Sequence, residues 1–341
     1  MKNTKENPLV SVIIPTYNGS KRIAKTLQSI IAQDYENIEI IVVDDVSTDN
    51  TVEVVQNTLE DSGRKFQIIK RTVNGHQSAS RNTAFQFANG KYIIFFDHDD
   101  LAEKNFISRL CGEAEATNAD FVLCNYYHYY ENENKYVPRH LSFKNSPAPA
   151  EDYLLEWTKE NDMTLTFWTI WHCIFNKNFL EKNKIRFPED CYLAEDVEFM
   201  LRAAAFSSRI SSIGDFLYTH VLHSSQQSQA DIERRSNYKI FEQEVLVMWR
   251  SARCIIKHTK NKRVKNFALT FCIARKLIQQ LTRAAKAGDR EYYSLKAKHL
   301  KHKKIREIFF GTGKFIFKEP ELFFKALTII FAPGLYFKMR Q

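Results

Sequence analysis

The stretch Tyr92-Ile-Ile-Phe-Phe-Asp-His-Asp-Asp100 decides the fold of this chain, because an apolar run passes directly into a cluster of acidic residues. Five large apolar residues in a row are typical of a strand that is buried on both faces of a sheet. The aspartates then follow its carboxyl end. On an extended strand end, Asp97 and Asp99 would point to the same side, because successive side chains alternate.

Similar strand-like runs precede this stretch, and segments with the apolar spacing of a helix separate them. The runs are Val10–Pro15, Ile38–Val43 and Phe66–Arg71. This alternation predicts an α/β fold with a mainly parallel sheet that is flanked by helices. Ligands of such sheets bind at the carboxyl ends of the strands. We therefore expect Asp44-Asp45 and Asp97–Asp100 to converge in one cleft.

The spacing of Asp97 and Asp99 suits a substrate that carries a diphosphate. A divalent cation such as Mn²⁺ or Mg²⁺ can bridge the two phosphates of a sugar nucleotide and stabilise the charge on the leaving group. Ions of this type prefer oxygen ligands and need only one or two protein carboxylates. The alternative is a solvated acidic turn, since two aspartates at this spacing are common.

Four segments together resemble the family 2 glycosyltransferases of the GT-A fold, in the family's order and over residues 9–225. They are Ser11-Val-Ile-Ile-Pro-Thr-Tyr-Asn18, Ile41-Val-Val-Asp-Asp-Val-Ser-Thr-Asp49, Ser80-Arg-Asn82 and the stretch 92–100. The resemblance implies a Rossmann-like GT-A domain that moves a sugar from a nucleotide sugar, with UDP as the expected nucleotide. The expected acceptor is a hydroxyl of a glycan or lipid-linked glycan, as in bacterial polysaccharide synthesis.

The resemblance also implies roles for single residues on the donor side. Asp45 matches the aspartate that recognises the base, Asp99 matches the metal ligand, and Asp97 matches a contact to the ribose or the metal. The expected nucleotide-binding residues are Pro15, Thr16, Tyr17, Asp45, Arg81 and Asp97. For Arg81 the alternative is a structural ion pair with an aspartate of the cluster.

A second acidic pair, Glu195-Asp196, stands at the predicted start of a helix over residues 194–206. The segment Ala194-Glu-Asp-Val-Glu-Phe-Met-Leu-Arg202 resembles the family's E-D-x-x-F-x-x-R segment. The resemblance implies that Asp196 deprotonates the acceptor hydroxyl, that Glu195 contacts substrate, and that direct displacement inverts the anomeric centre. A general base needs such a carboxylate within hydrogen-bond reach of the nucleophilic oxygen. The alternative role is a cap that interacts with the helix dipole.

Trp171 and His172 lie in a segment, Thr169-Ile-Trp-His-Cys-Ile-Phe175, that resembles the acceptor side of the family. A tryptophan can stack on a sugar ring, but it can equally fill a core. The same two readings apply to the histidine. Both residues are candidate acceptor contacts, and packing in the core is the alternative.

The segment Tyr218–Ser225 resembles the part of the family that folds over the donor diphosphate. Thr219 stands where an arginine is common, which leaves one phosphate contact without its usual residue. The candidates for this loop are His220, His223 and Ser224. A histidine here could replace the arginine, bind the metal, or be structural.

Charge divides the chain near residue 230. Residues 1–230 hold 23 basic and 31 acidic residues, whereas residues 231–341 hold 26 basic and 9 acidic residues. We therefore expect a catalytic domain over 1–230 and a basic, mainly helical region over 231–341. Basic and aromatic residues are interleaved through 300–341, which suits an anionic membrane surface. The alternative is that these aromatics pack on the catalytic domain.

The remaining features concern the compartment. No two of the six cysteines have the Cys-x-x-Cys spacing of a zinc site, and Met1–Pro8 has no apolar signal core. The uncharged run Ala326–Phe337 is too short to span a bilayer. The expectation is a cytoplasmic protein that attaches peripherally to the inner face of the plasma membrane.

Three other function classes are alternatives to a glycosyltransferase. A basic nucleic-acid-binding protein would use the positive C-terminal region, but the sequence has no recognisable nucleic-acid-binding motif, so no specific nucleic acid is expected. A nucleotidyltransferase is disfavoured because Pro15–Gly19 has one glycine and no arginine. A catalytically inactive sugar-binding relative is disfavoured because Asp97, Asp99 and Asp196 are all present.

Overall fold

The computed structural model describes residues 7–141, 143, 146–156, 169–191, 194–223, 241–268, 276–300 and 338–340. The chain forms two compact units, residues 1–224 and residues 225–341. The first unit contains a nine-stranded sheet with helices, and the described part of the second unit is helical.

The first unit alternates strands and helices along its N-terminal part. Its strands are β1 Val10–Thr16, β2 Ile38–Asp44, β3 Lys65–Lys70, β4 Tyr92–Phe95, β5 Leu101–Ala102, β6 Phe121–Tyr130, β7 Lys135–Arg139, β8 Cys173–Asn176 and β9 Ile210–Leu222. Its helices are α1 Ile23–Ile31, α2 Thr51–Leu59, α3 His76–Phe87, α4 Phe106–Thr117, α5 Ala150–Glu156, α6 Lys177–Lys182 and α7 Glu195–Phe206. A short 3-10 turn, Glu131–Glu133, joins β6 to β7.

The sheet has two halves of different character. Its strand order is β3-β2-β1-β4-β8-β6-β9-β5, and β7 pairs with β6. In the parallel half, β1 to β4 run in one direction, as the sequence predicts. In the mixed half, β8 is antiparallel to both β4 and β6, while β6 and β9 are parallel to each other. The predicted α/β GT-A-type class is thereby confirmed.

The register of the parallel half brings the strand ends to one edge. Thr16 of β1 lies opposite Asp44 of β2, and Asp44 lies opposite Lys70 of β3. The strands β1, β2 and β4 are almost wholly buried. The residues that follow these strands therefore reach the same edge of the sheet.

The described helices of the second unit are α8 Phe241–His258, α9 Lys262–Phe267, α10 Lys276–Lys286 and α11 Arg290–Leu300. On α8, Val247, Met248 and Ile255 are buried, whereas Leu246 and Trp249 are exposed. No helix among the described residues is long and apolar enough to cross a membrane. Most of the predicted membrane-binding segment, residues 301–337 and 341, lies outside the described residues.

Candidate active site

The loops after β1 and β2 form one connected rim at the carboxyl edge of the sheet. The Asn18 N–H donates to Ser47 Oγ at 2.9 Å, and the Gly19 N–H donates to Thr51 Oγ1 at 2.8 Å. Tyr17 stands exposed on this rim, whereas Pro15 and Thr16 are buried at the end of β1. These two hydrogen bonds join the two loops to each other.

Asp45 is held from two sides directly after β2. Its carboxylate accepts hydrogen bonds from Arg71 Nη1 at 2.7 Å and from the Gly75 N–H at 3.2 Å. Arg71 immediately follows β3, and it was not among the site residues predicted from the sequence. The rule that ligands gather at strand ends would have found it, had the rule been applied to the third strand.

Two buried oxygens at this edge lack partners. Among the described residues, Thr16 Oγ1 and Asp44 Oδ1 make no hydrogen bond. Buried polar atoms are nearly always paired, with protein, water or a ligand. The two atoms therefore mark this part of the cleft as a place where a polar ligand would be stabilised.

Asp97 and Asp99 do not lie on an extended strand. Because β4 ends at Phe95 and a turn follows, the strand rule behind the predicted common direction of the two side chains does not apply here. Asp97 Oδ1 accepts a hydrogen bond from Arg81 Nη2 at 2.8 Å. Asp99 Oδ2 lies 2.9 Å from His223 Nε2. Each carboxylate is anchored by a different partner through one oxygen.

Asp100 anchors this acidic turn to β9. Its buried carboxylate accepts hydrogen bonds from the Tyr218 hydroxyl at 2.6 Å and from the Val221 N–H at 2.8 Å. Burial raises the pKa of Asp100, and the carboxylates of Asp99 and Asp97 raise it further. The residue is a structural part of the site that the sequence analysis left without a role.

Arg81 lies at the centre of the site, with 0% of its side chain exposed. Its Nη1 donates to Asp196 at 2.7 Å and to Glu195 at 3.3 Å, while its Nη2 donates to Asp97. Burial disfavours the charged guanidinium, but the three carboxylates outweigh that effect and raise the pKa of Arg81. These contacts are the structural ion pairs that were the alternative for Arg81, and the nucleotide contact stays a prediction.

Asp196 stands in the first turn of α7, where the predicted helix start is confirmed. Ala194 takes a left-handed backbone conformation just before it, with φ of 61°, and turns the chain into the helix. Burial raises the pKa of Asp196, Glu195 and Asp97 add to the rise, and Arg81 opposes it. A partly exposed carboxylate with a raised pKa can accept a proton from a hydroxyl more readily than an ordinary aspartate.

Trp171 and His172 are packed inside the unit. They are only 3% and 1% exposed, and Trp171 stacks on Tyr218 with ring centroids 4.6 Å apart. His172 stacks on Tyr126 at 5.5 Å. The structure therefore favours the packing alternative over the acceptor contact for both residues.

The late histidines differ in their surroundings. His223 contacts Asp99 directly, so it lies beside the acidic turn. His220 Nδ1 lies 3.0 Å from His128 Nδ1, and burial lowers the pKa of His128 to about 3. Two neutral imidazoles can share one hydrogen bond in this way. Ser224 lies outside the described residues.

The acidic turn offers suitable donors for a divalent cation. Asp97 and Asp99 are both partly exposed, and the His223 imidazole lies beside them. In the part of the chain that the structure describes, no group of three or more such side chains forms a ready-made metal site. A cation that also binds a diphosphate and water needs only one or two protein carboxylates, so the donor set fits.

A parallel βα half that ends in an acidic turn, with a second acidic pair held against it, fits the GT-A glycosyltransferase domain that the sequence predicts. Residues 11–182, about half of the chain, match the family described as Glycosyl transferase family 2. The chain therefore belongs to this family.

Known proteins are similar to this chain in sequence. The uncharacterized glycosyltransferase EpsJ of Bacillus subtilis (strain 168) is 32% identical over 213 residues, 62% of this chain and 61% of EpsJ. The chain thus spans less than two thirds of that relative. The poly(ribitol-phosphate) beta-N-acetylglucosaminyltransferase TarS of Staphylococcus aureus (strain MW2) is 29% identical over 216 residues, 61% of this chain and 34% of TarS.

Solved structures show the same fold. The crystal structure of S. aureus TarS 1–349 in complex with UDP-GlcNAc aligns with a TM-score of 0.66 and 20% identity, over 96% of this chain and 92% of that chain. The mannosyltransferase PcManGT from Pyrobaculum calidifontis, in complex with GDP-Man and Mn²⁺, aligns with a TM-score of 0.55 and 19% identity, over 96% of this chain and 88% of that chain.

Proposed function

We propose that this protein is an inverting glycosyltransferase that moves a sugar from a UDP-sugar to a hydroxyl of a glycan or lipid-linked glycan. The observation that carries the proposal is the Arg81 cluster. One buried guanidinium holds Asp97, on the donor side, next to Asp196, the candidate base. Transfer between a donor and an acceptor needs these two groups close together in one site.

The donor side has the groups that a nucleotide diphosphate requires. Asp45, Tyr17 and the unpaired Thr16 Oγ1 stand on the rim where the base and ribose would bind. Asp99 and Asp97 would hold Mn²⁺ or Mg²⁺, with His223 as a neighbour. When bound, such a cation stabilises the negative charge of the leaving diphosphate. The UDP-GlcNAc complex of TarS and the Mn²⁺ complex of PcManGT support this choice of ligands.

On the acceptor side, Asp196 accepts the hydroxyl proton as the acceptor oxygen attacks the anomeric carbon. The bond from that carbon to the diphosphate breaks in the same step, so the configuration inverts. Arg81 orients the Asp196 carboxylate through one oxygen, Oδ1. Glu195 shares the same guanidinium and would contact substrate beside the base. The names of TarS and other relatives support a polysaccharide-type acceptor.

The proposal is tested by screening nucleotide sugars for transfer and for slow hydrolysis, with Mn²⁺, with Mg²⁺ and with a chelator. We expect one UDP-sugar to be consumed, only when the cation is present. The Asp196→Asn variant is the matched control, since it should bind the same donor but turn it over slowly. Normal turnover by this variant, or equal turnover in the chelator, would contradict the mechanism.

We also propose that the second unit attaches the enzyme to an anionic membrane surface at a cytoplasmic face. On α8, Leu246, Trp249, Arg253 and Lys257 are exposed at helical spacing, so apolar and basic groups share one side.

Vesicle sedimentation tests this attachment. The full chain should sediment with anionic vesicles at low salt and be released at high salt. Trp249→Ser combined with Leu246→Ser should weaken binding, whereas Tyr136→Ser, which changes an exposed aromatic in the first unit, should leave it unchanged. Equal binding to neutral vesicles would contradict the proposal.

A further inference from the structure

Among the described residues, two arginines near the proposed donor site already have carboxylate partners. Arg81 is fully buried and bonded to three carboxylates, and Arg71 is paired with Asp45. A leaving diphosphate is nevertheless stabilised by fixed positive charge in addition to a metal. The question is which described residue can supply that charge.

The start of α1 lies directly against the acidic turn. Thr26 Oγ1 is 2.9 Å from the His98 carbonyl oxygen and 2.8 Å from the Asp100 carbonyl oxygen, so this side of α1 faces the turn. Arg22, the N-cap residue of α1, stands four residues earlier and therefore on the same side. A Cβ atom at Gly19 would lie 2.7 Å from the His98 ring, so the preceding loop also touches the turn.

Arg22 forms a bidentate ion pair with Glu131, the first residue of the turn between β6 and β7. Its Nη1 donates to Oε1 at 3.0 Å and its Nη2 donates to Oε2 at 2.7 Å. The hydrogen bond to Glu131 raises the pKa of Arg22, and the carboxylate of Asp99 contributes to that rise. Arg22 lowers the pKa of Glu131 in turn, with a smaller contribution from His223. Arg22 and Glu131 therefore share one neighbourhood with Asp99 and His223.

The ion pair is partly exposed, with 28% of the Arg22 side chain and 40% of the Glu131 side chain accessible. Exposed pairs add little to stability, so the pair is a weak reason for an arginine at this position. A guanidinium offers two parallel N–H donors that match a carboxylate and a phosphate equally well. Arg22 can thus exchange one anion for the other without changing its geometry.

We propose that Arg22 binds the diphosphate of the donor, and that Glu131 holds its guanidinium in position until the donor arrives. The inference rests on the proposed function in taking the donor to be a nucleoside diphosphate sugar. When the donor binds, the two N–H groups of Arg22 donate to phosphate oxygens instead of the Glu131 carboxylate. The β6–β7 turn is then released from the rim of the donor site, so donor binding and the position of this turn are linked.

Calorimetric titration of the full chain with UDP and with UMP, in the presence of Mn²⁺, tests the proposal. Arg22→Ala should weaken UDP binding by about ten- to a hundredfold, the loss of a charge-assisted contact. UMP binding should change much less, because UMP lacks the second phosphate. Glu131→Gln should strengthen UDP binding, because the amide no longer competes for the guanidinium. Arg22→Lys should restore part of the UDP affinity.

Arg109→Ala is the matched control, since Arg109 pairs with Asp215 on an exposed surface of the same unit and its loss should leave both affinities unchanged. Thermal unfolding of each variant shows that the comparison is made on folded protein. Equal weakening of UDP binding by Arg22→Ala and Glu131→Gln would overturn the proposal, because the ion pair would then have only a structural role. Equal losses for UDP and UMP would also overturn it. If the wild type does not bind UDP at all, the proposed donor class fails first, and this inference fails with it.

Discussion

The parallel half and the mixed half of the sheet both contribute to the candidate site, but they place their side chains differently. In the parallel half, Asp45 and Asp97 follow strand ends that the register aligns at one edge. In the mixed half, Asp196 reaches the site from a helix 115 residues beyond Arg81 in sequence. Local βα units therefore suffice to place the proposed donor side, whereas the proposed acceptor side depends on a single buried ion cluster.

Removing the link between the halves should have the largest effect. Arg81→Ala leaves Asp97, Glu195 and Asp196 without their shared partner, and breaking a buried ion pair in this way costs about 3–5 kcal/mol of stability. Urea unfolding measures that loss, and transfer activity should fall with it. Arg81→Lys keeps the charge and should lose less stability. A wild-type unfolding midpoint for Arg81→Ala would show that the cluster does not join the halves.

Asp196→Asn should separate chemistry from donor binding. The amide cannot accept the hydroxyl proton, so kcat should fall by about 10²–10⁴, the usual contribution of a general base. The dissociation constant for the donor should stay near the wild-type value. Turnover and calorimetric binding check the two quantities. A variant that loses donor affinity together with kcat would assign Asp196 to donor binding, and the two halves of the sheet would then not differ in this role.

Asp99→Ala should show the opposite pattern. Without this carboxylate, metal-dependent UDP binding should weaken by about ten- to a hundredfold, the loss expected for a charged contact. A chelator should have little further effect on the variant but should weaken the wild type to a similar level. Titration with and without Mn²⁺ measures both. If the variant keeps full metal dependence, the cation is held elsewhere.

Tyr218→Phe tests the anchor between the acidic turn and β9. The change removes a hydroxyl that donates to buried Asp100, while the Val221 N–H remains, so the expected loss is about 1 kcal/mol of stability. The turn should also hold Asp99 less firmly, which a modest rise in the donor KM would report. Tyr136→Phe, on an exposed side chain, is the control and should change neither quantity.

The sequence was most informative where a pattern is local. The strands of the parallel half and the helix that starts at Glu195 were predicted close to their observed bounds. The strand rule did not extend to Asp97 and Asp99, because β4 ends before them. Arg81 was assigned to the nucleotide by resemblance, but its burial could not be seen in a linear motif. Trp171 and His172 fit two roles equally until their burial was known.

The sequence by itself determined the α/β units, the acidic strand ends and the membership of a glycosyltransferase family, because periodicity and motif order depend on neighbouring residues. Only the tertiary structure decided which side chains meet. It paired Arg81 with Asp97 and Asp196, Arg71 with Asp45, Asp99 with His223, and Arg22 with Glu131. The physical reason is that the members of each pair are 16 to 124 residues apart in sequence, so their geometry is set by strand register and helix packing, which no local pattern encodes.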